Sequence, residues 1–301
     1  MTPYRPWGEL QWALNLARAE KWSFLGCLGP EERSVAALTR LNTAQSLAQD
    51  RALLLQIVDA VPENQDLEEK LCRANYTRST EAGIHPVQSN YGILAPWSEW
   101  LSCFDNFKTP NVILDISSMP KRFFFPLVKR ILLDSAVRNF VICYTAPQAY
   151  APGPLSGNPE DWDVIPTFGT DDPEVQTEAS KRLVVNIGFM PEGLTDHLDP
   201  TATSHLIIPF PAPSRTVRRS WEAVRRLVGD PNQTVKHKLY RVGPQDMPEA
   251  FEKLLSLSAG GKVPIALAPF GPKPISAAMC LYAAQKGMPV YYSQPKTYYV
   301  G

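Results

Sequence analysis

Short apolar runs alternate with segments of helical spacing along most of the chain. In the N-terminal half, residues 22–28 and 52–58 are mainly apolar runs, and residues 35–41 between them space their apolar side chains as one helix face does. Apolar strands that alternate with helices are typical of a parallel sheet covered by helices on both faces. The pattern predicts an α/β fold and a Rossmann-like N-terminal half.

The same alternation continues to the end of the chain. The further predicted strands cover residues 87–94, 112–116, 140–144, 183–187, 205–210, 235–242, 263–268 and 289–292. The further predicted helices cover residues 8–19, 66–74, 97–104, 123–133, 217–228, 247–257 and 275–284. Pro126 lies well inside one of these helices and predicts a kink or a late helix start there.

The most specific feature of the pattern is a sequence repeat, whose two copies cover residues 111–150 and 262–299. Each copy has an apolar strand, a loop that ends in Pro-Lys, an apolar helix, a second strand and a Tyr-x-x-Pro-x-x-Tyr ending. Upstream of each copy, a first strand ends in a Gly and Pro-Glu arrangement. The repeat predicts two Rossmann-like parallel-sheet halves related by internal duplication.

The segment 151–181 separates the two halves. It is rich in proline, glycine and acidic residues, which interrupt both helical and strand periodicity. We therefore expect an N-terminal half over residues 1–150, a linker or long excursion over 151–181, and a C-terminal half over 182–301.

Charge and composition limit the classes of partner. The 301 residues contain 30 basic and 30 acidic side chains, so neither bulk binding of duplex nucleic acid nor attraction to an anionic membrane is expected, and any anion site must be local. The chain has no apolar run long enough to cross a membrane and no export signal, which predicts a cytoplasmic protein.

Cysteine and histidine spacing excludes several kinds of site. The five cysteines are far apart and predict reduced thiols, and the four histidines have no metal-binding spacing. Common hydrolase, NTPase and dinucleotide motifs are absent from the sequence. Neither a metal nor another cofactor is expected.

The two Pro-Lys loops predict an anion site. In a parallel sheet, ligands bind beyond the carboxyl ends of the strands, where helix N-termini favour negative charge. Lys121 and Lys273 supply charge, Ser117 and Ser118 supply hydroxyl donors, and Gly271 permits close backbone approach. Ordinary helix capping would also explain Ser and Pro at these positions.

Aromatic and basic residues add to this hypothesis. Tyr144 and Tyr292, which follow the last strand of each copy, are placed to stack on a nucleobase, although packing at the sheet edge is the alternative. A basic stripe on the predicted helix 217–228 fits either a solvated face or a phosphate contact. The stripe consists of Arg215, Arg219 and Arg226, with Arg218 and Arg225 beside it.

The segments 115–121 and 268–279 resemble the second ligand loop of CARF domains, which are Rossmann-like sensors of cyclic oligoadenylates. Two such units in one chain resemble the SAVED arrangement of bacterial antiviral signalling. The resemblance implies that Gly29 and Gly188 mark the other ligand loop, with Arg33 beside it, and that a nucleotide or cyclic oligonucleotide binds in a cleft between two halves. It also implies a separate effector protein.

Three functions remain open from the sequence. The first is a sensor that passes ligand occupancy to an effector. The second is an enzyme that cleaves a cyclic oligonucleotide or nucleoside bond at the same site, using loop residues such as Ser117, Ser118 or Glu31. The third is a non-catalytic assembly subunit of a defence complex.

Overall fold

The computed structural model of the chain describes residues 7–17, 21–61, 63–105, 109–149, 155–188, 202–210, 221–222, 224–225 and 236–299. The chain divides into two compact units, one formed by Met1–Asn158 with Pro295–Gly301 and the other by Pro159–Gln294. Each contains parallel strands joined by helices, which confirms the α/β prediction.

The first unit is built on a five-stranded parallel sheet. Its strands are β1 (Trp22–Cys27), β2 (Leu47–Val58), β3 (Val87–Gly92), β4 (Asn111–Asp115) and β5 (Asn139–Cys143). Its helices are α1 (Leu10–Ala17), α2 (Ala36–Thr43), α3 (Gln65–Glu81), α4 (Trp97–Trp100) and α5 (Lys121–Leu133), with 3-10 turns at Glu32–Ser34 and Leu101–Phe104. The strand order is β3-β2-β1-β4-β5.

The two faces of this sheet are covered by separate groups of apolar side chains. On one face, Trp22, Phe24 and Leu54 pack with residues of α1, α2 and α3 in a buried cluster. Elsewhere in the unit Trp100 stacks on Phe123 of α5, with ring centroids 4.5 Å apart. Burial of the middle strands on both faces explains why their sequences are apolar runs.

Helix α5 begins at Lys121, with Pro120 as its N-cap residue. The helix therefore starts two residues before the predicted position and contains Pro126, so the late start is not observed. Pro126 and its neighbours Phe123, Phe124 and Phe125 are buried. Burial of this apolar segment stabilises a helix whose proline lacks a backbone donor.

The second unit is built on a four-stranded parallel sheet of order β10-β9-β8-β11. Its strands are β7 (Asp163–Val164), β8 (Arg182–Asn186), β9 (Thr203–Pro209), β10 (Lys236–Val242), β11 (Ala266–Pro269) and β12 (Tyr291–Tyr292). Its helices are α6 (Pro173–Ser180), α7 (Met247–Leu257) and α8 (Lys273–Lys286), with a 3-10 turn at Ala259–Gly261. Leu267 of β11 also forms an isolated parallel bridge with Val290.

The two sheets place their strands in matching chain order. In each, the first strand lies beside the strand that leads into the Pro-Lys loop, β1 beside β4 and β8 beside β11. The internal duplication itself stays a prediction. The two Tyr-x-x-Pro-x-x-Tyr endings differ in structure, because Pro295–Tyr298 forms strand β13, whereas residues 145–149 of the first ending form no strand.

The segment predicted as a linker contains regular structure. It holds the short strand β6 (Ser156–Pro159), which pairs with β13, and also β7 and α6. The division between the units falls inside this segment, at Asn158. The return of residues 295–301 to the first unit was not predicted, because a strand pairing across 139 positions leaves no local pattern.

One predicted helix falls largely outside the described residues. Within 217–228 the structure describes only residues 221–222 and 224–225, which are helical. Val224 is buried, whereas Trp221 is 45% exposed.

Candidate functional site

The carboxyl ends of β1 and β4 form a crevice between neighbouring parallel strands. The chain leaves β1 toward β2 on one side and reaches β4 on the other, so the strand order reverses here. In open α/β sheets this reversal point is where ligands bind. The loops after the two strands meet: a Cβ atom added at Gly29 would lie 3.2 Å from Cβ of Ser118.

A side chain of helix α3 holds the loop after β1 in place through hydrogen bonds. Asn75 donates hydrogen bonds from Nδ2 to the carbonyl oxygens of Gly29, over 2.8 Å, and of Glu31, over 3.0 Å. Ser34 donates from Oγ to the same Gly29 carbonyl over 3.1 Å. Asn75, Ser34 and Gly29 are buried, so their hydrogen bonds replace lost water contacts and fix the start of the loop.

Arg33 is placed between the loop after β1 and the end of β5. It forms an ion pair with Glu31, donates from Nη1 to the carbonyl of Thr145 over 3.1 Å, and has its Cζ atom 5.7 Å from the ring centroid of Tyr144. Burial lowers the pKa of Arg33, but hydrogen bonding and charge from Glu31, with Tyr144, outweigh it and raise the pKa overall. Arg33 therefore stays cationic beside Tyr144, with part of its charge compensated by Glu31.

The hydroxyl of Ser117 is used by the loop itself. It donates to the carboxylate of Asp115 and accepts a hydrogen bond from the backbone N–H of Thr145 over 2.7 Å. The backbone N–H of Ser117 also donates to Asp115, over 2.8 Å. Ser117 is fully buried, so it braces the β4 loop against the end of β5.

Ser118 differs from its neighbour. Its Oγ atom is buried and makes no hydrogen bond with any residue in the described part of the chain. A buried hydroxyl without a partner costs free energy, which a ligand acceptor would remove. Lys121 follows as the first residue of α5 and is 9% exposed, and the N-cap residue Pro120 offers no side-chain acceptor to the helix.

The corresponding loops of the second unit approach each other still more closely. A Cβ atom added at Gly188 would lie 2.1 Å from the carbonyl oxygen of Phe270, and one added at Gly271 would lie 2.1 Å from Oδ1 of Asn186. Only glycine fits at both positions. The glycines predicted as ligand residues are therefore required here by loop packing as well.

Asn186, at the end of β8, connects its strand to the first turn of α8. Its Nδ2 group donates to the carbonyl of Pro272 and to Oγ of Ser276, each over 3.3 Å. Its Oδ1 atom is buried and has no hydrogen-bond partner among the described residues. Lys273 is the first residue of α8 and Pro272 its N-cap residue, as Lys121 and Pro120 are for α5.

Aromatic rings line the second loop. Tyr292 packs against Phe270, with ring centroids 5.4 Å apart, and Trp162 stacks on Phe270 at 5.6 Å and on Tyr291 at 5.7 Å. Tyr292 also lies in β12, paired with Asp163 of β7. The tyrosine predicted to stack on a base thus already has a ring neighbour in the loop.

The structure brings several predicted site residues close together within each unit. In the first unit the residues, or the loops that carry them, are those of Gly29, Arg33, Ser117, Ser118 and Tyr144. In the second unit they are those of Gly188, Gly271 and Tyr292. Sequence reasoning missed Asn75, Asp115 and Asn186, which hold these loops. Asn186 ends an apolar run, and a polar residue at a strand's carboxyl end was the one available signal.

Other predicted features add nothing to the site. Within the described ranges, no group of three or more His, Cys, Asp or Glu side chains is arranged to hold a metal ion. Of the five arginines in and beside the basic stripe, the structure describes Arg225, which is exposed; Arg215, Arg218, Arg219 and Arg226 lie outside the described residues. No helix in the described part of the chain is long and apolar enough to span a membrane.

Comparisons with known proteins identify no family. No family model and no curated protein matches the chain. Among solved structures, the cytoplasmic domain of a prokaryotic cation chloride cotransporter aligns over 92% of this chain and 96% of its own, at 11% identity and a TM-score of 0.26. A Leishmania major Friedlin protein named for aspartate carbamoyltransferase aligns over 88% and 95%, at 10% identity and a TM-score of 0.17. Scores this low bear on neither fold nor function.

Proposed function

We propose that the protein is a sensor that binds a nucleotide-type anion at the carboxyl edges of its two parallel sheets. The observation that carries the proposal is the meeting of two loops at the strand-order reversal point in the first unit, where Gly29 faces Ser118 and a long helix begins at Lys121. The second unit has the same arrangement around Gly188, Gly271 and Lys273.

The chemistry of the first loop pair supports an anion. Ser118 has a buried hydroxyl without a partner among the described residues, and α5 adds the positive end of its dipole and the charge of Lys121. Tyr144 lies near the guanidinium of Arg33 and offers an aromatic face for a base. Phosphate and base recognition are thus available within one unit.

The enzyme alternative has weaker support from the same residues. Ser117 is engaged by Asp115 and Thr145, and Glu31 is paired with Arg33. A nucleophile or base held in this way has to break an existing contact before it can react. Binding without turnover is the function that this geometry favours.

The identity of the ligand rests on the loop resemblance. Similarity of the two Pro-Lys loops to CARF ligand loops supports a cyclic oligonucleotide, a cytoplasmic role in bacterial antiviral signalling and a separate effector protein. One ligand held by both halves, rather than one in each, stays a prediction. Isothermal titration measures it directly as the number of ligands bound per chain.

The test replaces each lysine with alanine and titrates the purified protein with cyclic oligoadenylates. Loss of a charge-assisted contact of at least about 1 kcal/mol raises Kd about fivefold or more for Lys121→Ala and Lys273→Ala. Matched controls are Lys129→Ala and Lys286→Ala, farther along the same helices, which leave Kd unchanged. Unchanged Kd in the test variants, with equal melting shifts in all four, would show that the loops are structural only.

A further inference from the structure

The first unit contains a second candidate site, away from the Gly29–Ser118 contact. A pocket of about 360 Å³ lies between α3 and the β2–β3 side of the sheet. Its lining residues are Leu28, Gln56, Val58, Gln65, Glu68, Glu69, Cys72, Arg73, Tyr76, Gln88 and Asn90. A volume of this size is enough for a small metabolite.

Amide side chains occupy the sheet wall of this pocket. Across β2 and β3, Leu54 pairs with Gln88 and Gln56 pairs with Asn90, so the strand alternation puts all four on one face of the sheet. Leu54 is fully buried in the core, which identifies the face that α3 covers. The other three positions are amides: Gln56 is half-buried, and Gln88 and Asn90 are exposed on the edge strand β3.

These amides are available to a ligand. The side chains of Gln56, Gln88 and Asn90 make no hydrogen bond with any residue in the described ranges. Each amide offers both donor and acceptor atoms in one plane. Three such groups on neighbouring positions suit a flat partner with several polar atoms along its edge.

The helix wall carries more carboxylate than cation. Glu69 accepts a hydrogen bond from Gln65 over 2.9 Å, whereas Glu68 and Arg73 form no ion pair with the described residues. Tyr76 presents a half-buried ring and donates to the carbonyl of Pro86 over 3.5 Å. The helix thus supplies acceptors beside an aromatic face.

The carboxyl group of Glu68 has a raised pKa. Burial, as the largest cause, together with the charges of Asp59 and Glu69, raises its pKa to about 7. The other polar groups of the pocket wall include the neutral amides, the carboxylate of Glu69, the guanidinium of Arg73 and the Cys72 thiol, whose pKa is raised to about 12 by burial and by Glu68 and Glu69. In the described part of the chain, no group donates to the Glu68 carboxyl or pairs with it.

We propose that this pocket binds a planar group with adjacent N–H donors, as in the guanidinium of an arginine derivative or the amino-substituted edge of a nucleobase. The N–H groups of the ligand donate hydrogen bonds to the Glu68 carboxylate. The amides of Gln56, Gln88 and Asn90 bind the remaining polar atoms along the edge of the ligand, and its flat face packs near Tyr76. This site needs no phosphate and does not depend on the function proposed above.

The test is calorimetric titration of the full chain with two probes, agmatine and guanosine. At least one binds with a Kd below about 1 mM, a value within reach of ligands of this size. Binding requires ionised Glu68, so the affinity rises about tenfold from pH 6 to pH 8 for a group with a pKa of about 7. Agmatine binding alone assigns a guanidinium ligand, and guanosine binding assigns a base.

Variants locate the bound probe. Glu68→Gln and Gln88→Leu weaken binding at least fivefold, and Glu68→Gln also removes the pH dependence. Glu81→Gln, at the far end of the same helix, is the matched control and leaves binding unchanged. Lys121→Ala also leaves it unchanged, which separates this site from the loop site. Absence of binding for both probes at 10 mM, or binding that Glu68→Gln does not alter, would overturn the proposal.

Discussion

Asn75 on helix α3 donates a hydrogen bond to the carbonyl of Gly29 over 2.8 Å, although the two residues are 46 positions apart. The same Nδ2 group reaches the carbonyl of Glu31, and Arg78 donates over 3.2 Å to Oδ1 of Asn75. One buried amide therefore links the loop after β1 to a helix that follows the next strand. The shape of the candidate ligand loop depends on this contact.

Replacing Asn75 with alanine should lower the free energy of unfolding by about 2 kcal/mol, because the carbonyl of Glu31 loses its partner and the buried carbonyl of Gly29 keeps only the hydroxyl of Ser34. Urea denaturation measures the change. Asn42→Ala is the control, since Asn42 makes one comparable bond, to Ala82, at an exposed position. Equal losses in the two variants would contradict a special role for Asn75.

Gly271→Ala should destabilise the second unit by about 1–3 kcal/mol. The added methyl group would lie 2.1 Å from Oδ1 of Asn186 and 2.5 Å from the carbonyl oxygen of Ile187, so the two loops must separate. Gly92→Ala serves as the control, because no atom of the described residues lies within 4 Å of the place its methyl group would take. A melting temperature that the two substitutions change alike would argue against tight loop packing.

Glu68→Gln should become progressively more stabilising as pH rises. The pKa of Glu68 is about 7 in the folded chain and near 4.5 in the unfolded chain, so the unfolded state releases its proton first and wild-type stability falls as pH rises through this window. After allowance for solvent screening, the advantage of the variant should grow by about 1 kcal/mol between pH 5 and pH 8. Thermal unfolding at both pH values measures this, and a constant difference would refute the raised pKa.

A sensor should return its ligand intact. After prolonged incubation with the protein, a cyclic oligonucleotide should elute from a chromatography column as the unchanged ring, because Ser117 and Glu31 are engaged in the loop. Linear products that disappear in Ser118→Ala would instead support the ring-opening enzyme. Products that persist in that variant would point to a contaminating activity.

The local pattern of the sequence accounts for the elements themselves. Apolar runs such as β1 and β4 predicted a parallel α/β sheet, because strands buried on both faces cannot alternate polar and apolar residues. The repeated Pro-Lys pairs predicted where α5 and α8 begin to within two residues, since proline fits the start of a helix and disfavours helix in the residue before it.

The contacts that give the candidate sites their chemistry were decided only by tertiary structure. In the sequence, Asn75 and Asn186 are ordinary polar positions. Only the folded structure shows that Asn75 contacts Gly29 and that Asn186 lies beside Gly271. Likewise, nothing local indicated that Gln56 and Asn90 would pair across β2 and β3 and line a pocket with residues of α3. Periodicity specifies the face on which a side chain lies, but the neighbour it meets there is set by strand order and register, which depend on pairings between distant parts of the chain.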